Sequence, residues 1–571
     1  MAEVLISPGV LAIENDQSQI TSQPVQAGAA IVGPTAKGRI NIPTLVTTYS
    51  EYLANFGSTF TSASDTYTFL TSISAFNYFQ NGGTSLLVTR VVSSSVDWAP
   101  ATSSFISASL GSLGSAFTLE TLSPGTIMNS TSTEVSGSLP SGSADNYRWQ
   151  IVSPNTASGV FSLIIRQGND YSRNPSILET FTNLSLDPKS PNYIARVIGD
   201  QTITVQGSGT NVYLQTTGSY PNASRYIRVK SVNIKTPDYL DNNGVAKPQY
   251  TASIPIAASG SFGAGTGDNV KAGMKLYDAI TSTDTQGLVG DSYTTALNLL
   301  ANPNEFRYNI ISVPGLTIDA YPTPIGTLIT NIEDRGDAIA VIDPSLYGST
   351  VITTIGNAAS QDSSYASSYW PWCQTTDPNT GQLVWVPAST IIPGVYAYTD
   401  KVSEPWFAPA GINRGGLGTV RQVERKLTQT DKDNLYAGKV NPLATLPGRG
   451  VVVYGQKTLQ TKASALDRVN VRRLLISLKS YISQVADNLV FEQNTAATRN
   501  QFLSQVNPYL DSVQQRQGLY AFKVVMDDTN NTADVIDRNQ LVGAIYLQPT
   551  KTAEFIYLNF NILPTGAVFP A

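Results

Sequence analysis

The order of patterns in residues 441–571 most constrains what this chain can fold into. A Pro/Gly loop, NPLATLPGRG (441–450), leads into the apolar run 451–454. A long amphipathic helix over about 465–490 and a second helical stretch follow, then strand-like segments at 520–527, 541–548 and 554–562. Loop, strand, helix, helix and three strands make a compact α/β unit. In the long helix Val471, Leu474, Leu478, Ile482, Val485 and Leu489 fall on one side at helical spacing. Arg468, Arg472 and Lys479 form a second stripe, roughly 100° away on a 3.6-residue helix. That stripe reads either as a solvated flank or as a contact with an acidic partner surface. Ser464 with Asp467 reads as a capping-box start.

The preceding chain sorts into blocks. Residues 1–26 hold an apolar, β-prone run (Val4, Leu5, Ile6, Val10, Leu11, Ile13) bent at Pro8-Gly9, then an almost wholly polar tether. The run has no local hairpin partner, so it either docks as a first strand in its own domain or pairs with another subunit's sheet edge. Residues 27–92 read as α/β: a strand at 29–32, a helix closed by Gly82-Gly83 and a strand at 85–92. Residues 93–265 turn Ser-, Thr-, Gly- and Asn-rich, with β-prone runs at 161–166, 202–206 and 226–234. They predict a β-rich outer insertion with room for two small domains. From 266 to 400 the α/β pattern returns, with a strand at 338–342, so the core domain is split around the insertion. Residues 401–571 form the C-terminal domain, joined through a helix and linker at 420–433. The fold class expected is therefore multidomain α/β (α+β).

Composition removes whole classes of chemistry. There is no histidine, which excludes His-based acid–base catalysis, Ser-His-Asp triads and His-ligated metal sites. The single cysteine, Cys373, has no disulfide partner and reads as a small hydrophobe beside Trp370 and Trp372. Charged residues make up only 13% and the formal charge is −5, which speaks against non-specific nucleic-acid binding. No apolar run is long enough to span a membrane, and no signal peptide opens the chain, so assembly in a cytoplasm is expected.

The remaining motifs are weak. Gly450 to Thr458 nearly spells a phosphate loop, but Gln456 separates Gly455 from Lys457 and the intervening residues read as a strand. Gly263, Gly265 and Gly267 read as a flexible linker. Asp527, Asp528, Asp534 and Asp537 lack calcium-loop spacing, and Asn530-Asn531 suggests a plain turn. Nothing pairs Glu333, Asp334, Asp337 and Asp343 as glycosidase-like acids. No catalytic, cofactor or metal residue is expected.

NPLATLPGRGVVVYGQKTL, VRRLLISLKSYISQVADNLVFEQN and DDTNNTADVIDRNQLVGAIYLQPTKTAEFIYLNF together resemble the C-terminal domain of contractile phage tail sheath proteins, the family related to R-type bacteriocin and type VI secretion sheaths. ISPGVLAIEND resembles that family's N-terminal arm, GPTAKGRINIPTLVTTYSEYLANFG its entry segment, which implies a turn at Gly33-Pro34, a second strand and a short helix ending at Gly57, and NPNEFRYNIISVPGL, IEDRGDAIAVIDP, YASSYWPW and VPASTIIPGVYAYTD resemble its core segments in family order. The resemblance implies a structural subunit that polymerises around a tail tube in an extended, metastable state and contracts without nucleotide. It implies inter-subunit strand exchange through Val4, Leu5, Ile6, Val10, Leu11 and Ile13 and through Phe555, Ile556, Tyr557, Leu558 and Phe560, with Arg468, Arg472 and Lys479 facing the tube. The implied partners are further copies of the chain, a tail tube protein, baseplate and tail terminator proteins; neither nucleic acid nor membrane is among them. The implied location is the virion, after assembly in the host cytoplasm. The alternatives are a static β-rich shell or adhesin, or a wall-degrading tail component.

Overall fold

The computed structural model describes residues 25–62, 65–130, 134–268, 280–289 and 292–555. Its centre is an eight-stranded sheet in the order Gly450–Val453, Val440–Leu446, Ala366–Trp370, Ile339–Asp343, Ile310–Thr317, Ala29–Gly33, Leu86–Arg90, Thr44–Val46. The middle six strands run parallel, and an antiparallel strand closes each edge. Parallel strands are linked by crossover helices that cover both faces, so each strand must be apolar on both sides. Alternate residues obey this. Ala29, Ile31, Leu86, Val88, Ile339 and Val341 pack under the helices Tyr49–Phe56, Leu70–Gln80 and Ile392–Val402. Ala30, Val32, Leu87, Ile311, Ala340 and Ile342 face Tyr293–Leu300 and Pro322–Arg335 on the other side.

The chain leaves this sheet at Arg90 and returns after a second domain. That domain holds an antiparallel seven-stranded sheet, in the order Ile177–Ser185, Val160–Gln167, Tyr147–Asn155, Ala258–Gly263, Pro100–Ser103, Phe117–Pro124, Ile227–Val232, and a separate hairpin, Thr202–Gln206/Tyr213–Thr217, whose Leu214 packs against the core. It has one hydrophobic cluster, around Phe117, Trp149, Phe161 and Ile227, where the sequence left room for two domains. Its root is narrow: Ala99 and Thr266 exchange both backbone hydrogen bonds, each 3.1 Å. Gly267 lies there at φ 100°, and a Cβ on it would meet the Trp98 ring at 2.4 Å. A Cβ on Gly265 would meet the Gly125 carbonyl at 2.8 Å, and Gly263 ends the strand Ala258–Gly263, paired with Thr102, which corrects the reading of these three glycines as a flexible linker.

In open α/β sheets ligands bind beyond the carboxyl ends of the strands, where the strand order reverses. Here, at that point between Ile310–Thr317 and Ala29–Gly33, Thr285 Oγ1 donates to the Gly315 carbonyl (2.7 Å) and Gln286 Nε2 to the Pro314 carbonyl (3.0 Å), while Gln286 Oε1 accepts from Leu70 N–H (2.9 Å); the inserted domain covers the neighbouring strand ends, Ala29–Gly33 and Leu86–Arg90. Gly38 N–H donates to Ser123 Oγ at 2.9 Å, and the buried Arg90 guanidinium donates to the carbonyls of Gly38 (2.7 Å) and Pro124 (3.2 Å).

Other segments depart from the sequence reading. Val440–Leu446 and Gly450–Val453, expected to open the C-terminal unit, complete the core sheet, because their apolar residues are buried on it. Residues 420–433 are no linker: Val420–Val423 pairs with Cys373–Thr376, and Gln429–Ala437 seats Leu435 in the core. The tether ends at its last two residues, since Val25–Gln26 pairs in parallel with Phe306–Arg307.

Candidate interaction site: an open hairpin and its joint with the core

Beyond the core sheet stand two helices, Val469–Asp487 and Ala496–Gln515, and the antiparallel hairpin Leu519–Val525/Ala544–Pro549. The apolar side anticipated for the first helix is buried: Leu474, Leu478, Val485 and Leu489 meet Phe502, Val506, Leu510 and Val513 of the second. One face of the hairpin, with Phe522, Ile545 and Leu547, packs on this pair, while Tyr520 and Tyr546 point outward and are exposed. Asn530 and Asn531 build the connection: Asn531 exchanges two hydrogen bonds with the Val542 backbone, at 2.8 and 2.9 Å. Among the described residues each hairpin strand has a sheet neighbour on one side only. Residues 551–555 are not a strand, and Phe555 is exposed. Val4, Leu5, Ile6, Val10, Leu11, Ile13, Ile556, Tyr557, Leu558 and Phe560 lie outside the described residues.

The long helix begins later than the sequence suggested. Ser464 Oγ caps a short 3-10 turn, accepting from Leu466 N–H, and the α-helix starts at Val469. Its first turns are fastened to the core by cations. Arg468 forms a two-pronged contact with Glu554, at 2.8 and 3.0 Å. Glu554 also accepts from Tyr436 Oη (2.6 Å) and Gln456 Nε2 (3.0 Å). Burial works against the Glu554 charge, but the hydrogen bonds from Arg468, Tyr436 and Gln456 prevail and hold its pKa below the usual glutamate value.

Arg472 stacks on the Tyr365 ring at 3.9 Å and donates to the Ser364 carbonyl at 3.3 Å. It is buried, which overturns both the solvated-flank and the tube-facing reading for this residue, because its donors are turned inward. Arg468 is likewise committed inside the chain. Lys479 stays exposed while its Nζ donates to Tyr365 Oη at 3.1 Å. Arg473, which the stripe missed, is bound to Asp400 at 2.6 and 2.8 Å and lies 4.7 Å from the Tyr396 ring centre. The signal for it was present: Val469, Arg473 and Ile476 recur at helical spacing, and Val469 and Ile476 enter the core cluster.

The weaker motifs resolve structurally. Lys457 donates to the Tyr436 carbonyl at 2.8 Å, and Gly450–Val453 is a sheet strand. Asp343 is fully buried and accepts from Ser389; burial raises its pKa to about 7. Burial also pushes the Cys373 thiol up. Among the described residues no cluster of side chains suits a metal ion.

Two family models match in tandem. The phage tail sheath protein central domain covers residues 286–459, and the phage tail sheath C-terminal domain covers 461–563. They meet between the last core strand and the long helix. The tail sheath protein of Vibrio phage KVP40 is 34% identical over 361 residues, 60% of this chain and 52% of that protein. That of Enterobacteria phage T4 is 42% identical over 185 residues, 32% of this chain and 28% of that protein. The chain thus spans about half or less of the length of the curated relatives it matches. A sheath tail protein from Listeria innocua superposes over 92% of this chain and 95% of its own, with TM-score 0.52 and 10% identity, a likeness of fold.

Proposed function

The chain belongs to the phage tail sheath family, and from that premise we propose that it is a structural, non-enzymatic subunit of a contractile tail sheath. Copies polymerise around a tail tube in an extended, metastable state and contract to drive the tube through the target envelope. The observation that supports this reading best is the hairpin Leu519–Val525/Ala544–Pro549, whose strands each lack a neighbour on one side among the described residues. A two-stranded sheet is marginal alone, and added strands from other chains satisfy its edges. The donors are the runs around Val4–Ile6, Val10, Leu11 and Ile13 and around Phe555–Leu558 and Phe560. Backbone pairing of this kind survives rotation of whole subunits when the tether is polar, as residues 14–24 are by composition.

The core sheet carries the strain differently. A close-packed interior does not deform continuously, so contraction changes contacts between subunits while each fold is kept. The stored energy is the difference between two packings, and no nucleotide is consumed. Baseplate and terminator proteins bound the polymer at its ends, and the particle is a virion tail assembled in the host cytoplasm. On the long helix Lys479 is the cation left to face the tube, since Arg468 and Arg472 are engaged within the chain.

Electron microscopy of the purified chain tests the reading. Hollow, striated tubes are expected from the full chain and none from a variant lacking residues 1–23, which should remain a folded monomer. Normal tubes from the truncated chain would remove strand exchange by the N-terminal run. Cleavage of cell-wall polymer by the purified chain would favour the enzymatic alternative.

A further inference from the structure

The hairpin ends at Pro549, yet five residues later the chain is fixed to a different part of the molecule. Glu554 gathers Tyr436 from the core-sheet helix Gln429–Ala437, Gln456 from just beyond the last core strand, and Arg468 from the start of the long helix. Gln456 Nε2 also donates to Thr552 Oγ1 at 2.6 Å. Residues 551–555 have no sheet partner among the described residues, so these side-chain contacts are what the structure records holding them. The Glu554 side chain is 18% exposed and the Arg468 side chain 25%, which shields the pair from solvent. A bidentate guanidinium–carboxylate contact fixes direction as well as distance.

We propose that Glu554 is a positioning residue: it anchors the chain at the meeting point of core, long helix and C-terminal segment, and so sets where that segment departs toward a neighbouring subunit. The proposal rests on the sheath reading for the destination of the segment. The anchoring itself rests on the contacts above. A load on the segment then reaches Tyr436 and Gln456 on the core and Arg468 on the helix together, instead of peeling the hairpin strand Ala544–Pro549 from Leu519–Val525.

The test uses the full chain with spin labels at Ala463→Cys and Lys551→Cys, Cys373 being buried. Glu554→Ala should broaden the label distance distribution at least about two-fold and raise the concentration for half-assembly about ten-fold, the factor equivalent to one lost charge-assisted bond. Glu554→Gln, which keeps an acceptor but loses the charge, should fall between. Tyr436→Phe, which removes one donor and no charge, keeps the test valid should Glu554→Ala fail to fold. Far-UV circular dichroism of the monomer should not change. Assembly of Glu554→Ala at the parental concentration overturns the proposal, as does an unchanged distance distribution. A parent chain that forms no tubes refutes the sheath reading instead, and the label distances then still decide the anchor.

Discussion

The core sheet and the C-terminal hairpin are built from the same kind of strand and end in opposite conditions. The core sheet has eight strands, six of them parallel, helices on both faces, and an antiparallel strand at each edge. The hairpin has two strands, one covered face and outward tyrosines. The first has six of its eight strands paired on both sides within the chain. The second, among the described residues, leaves donors and acceptors in rows on both outer sides, a template that isolated proteins normally hide. The difference teaches that closed and open sheets are separated along this sequence. One sheet builds the core of the fold, and the proposed function gives the other the joining of subunits.

The largest break in the comparison should come from a charge in the closed sheet. Val341 is fully buried in the central strand Ile339–Asp343, so Val341→Asp should cost about 4 kcal/mol or more and unfold the core in thermal denaturation. Tyr546→Asp on the open hairpin should change stability by no more than about 0.5 kcal/mol. It should instead reduce tube formation, measured by sedimentation.

Next in size is the joint between the two regions. Charge reversal of Arg468, Arg472 and Lys479 together should loosen the long helix by about 3 kcal/mol, because Arg472 is buried and Arg468 leaves Glu554 unpaired. Calorimetry should then resolve a separate, earlier transition. Lys479→Glu alone should spare stability and weaken co-assembly with the tube, most at low salt, where an exposed charge is least screened.

Acidity should act on the two regions with opposite sign. Asp343 in the core titrates near 7 against an ordinary 3.8, so the folded state holds a proton that the unfolded chain has lost between those values. Its contribution therefore weakens as pH rises through that window and levels off above 7. Ser389 faces it as a donor, and the Cys373 thiol is the titratable group that feels its charge. Asp343→Asn should remove about one proton from the slope of unfolding free energy against pH. Glu554 at the joint is depressed, so its contribution is present above the ordinary glutamate value and is lost as pH falls through its lowered one. The mildest of the destabilising substitutions is at Thr428, which caps Gln429–Ala437 in a reciprocal box with Asp431. Thr428→Ala should cost about 1 kcal/mol in chemical denaturation.

Much of the core was readable from sequence because its signals are local. Gly57 closes the helix Tyr49–Phe56, and the run before Asp343 is apolar throughout, as a strand covered on both faces must be. The hairpin strands were also placed, within a few residues. What escaped was set by long-range pairing. Val451 to Val453 look the same whether they join the core or the unit that follows; their position comes from Leu443 to Leu446 beside them. The fate of Arg472 depends on Tyr365, more than a hundred residues earlier in the chain, and helical periodicity carries no information about that ring. Glu554 was equally silent, since its partners come from three separate segments.

The paired Ala99 and Thr266 at the root of the outer domain have a consequence for engineering. Two adjacent, hydrogen-bonded backbones are the gap a replacement must bridge, so a short turn or a foreign domain with neighbouring termini meets the same boundary condition. The plug that Ser123 and Pro124 place over Gly38 and Arg90 would have to be supplied anew. With that supplied, the molecule offers a port through which its outer coat can be exchanged without rethreading the sheet beneath.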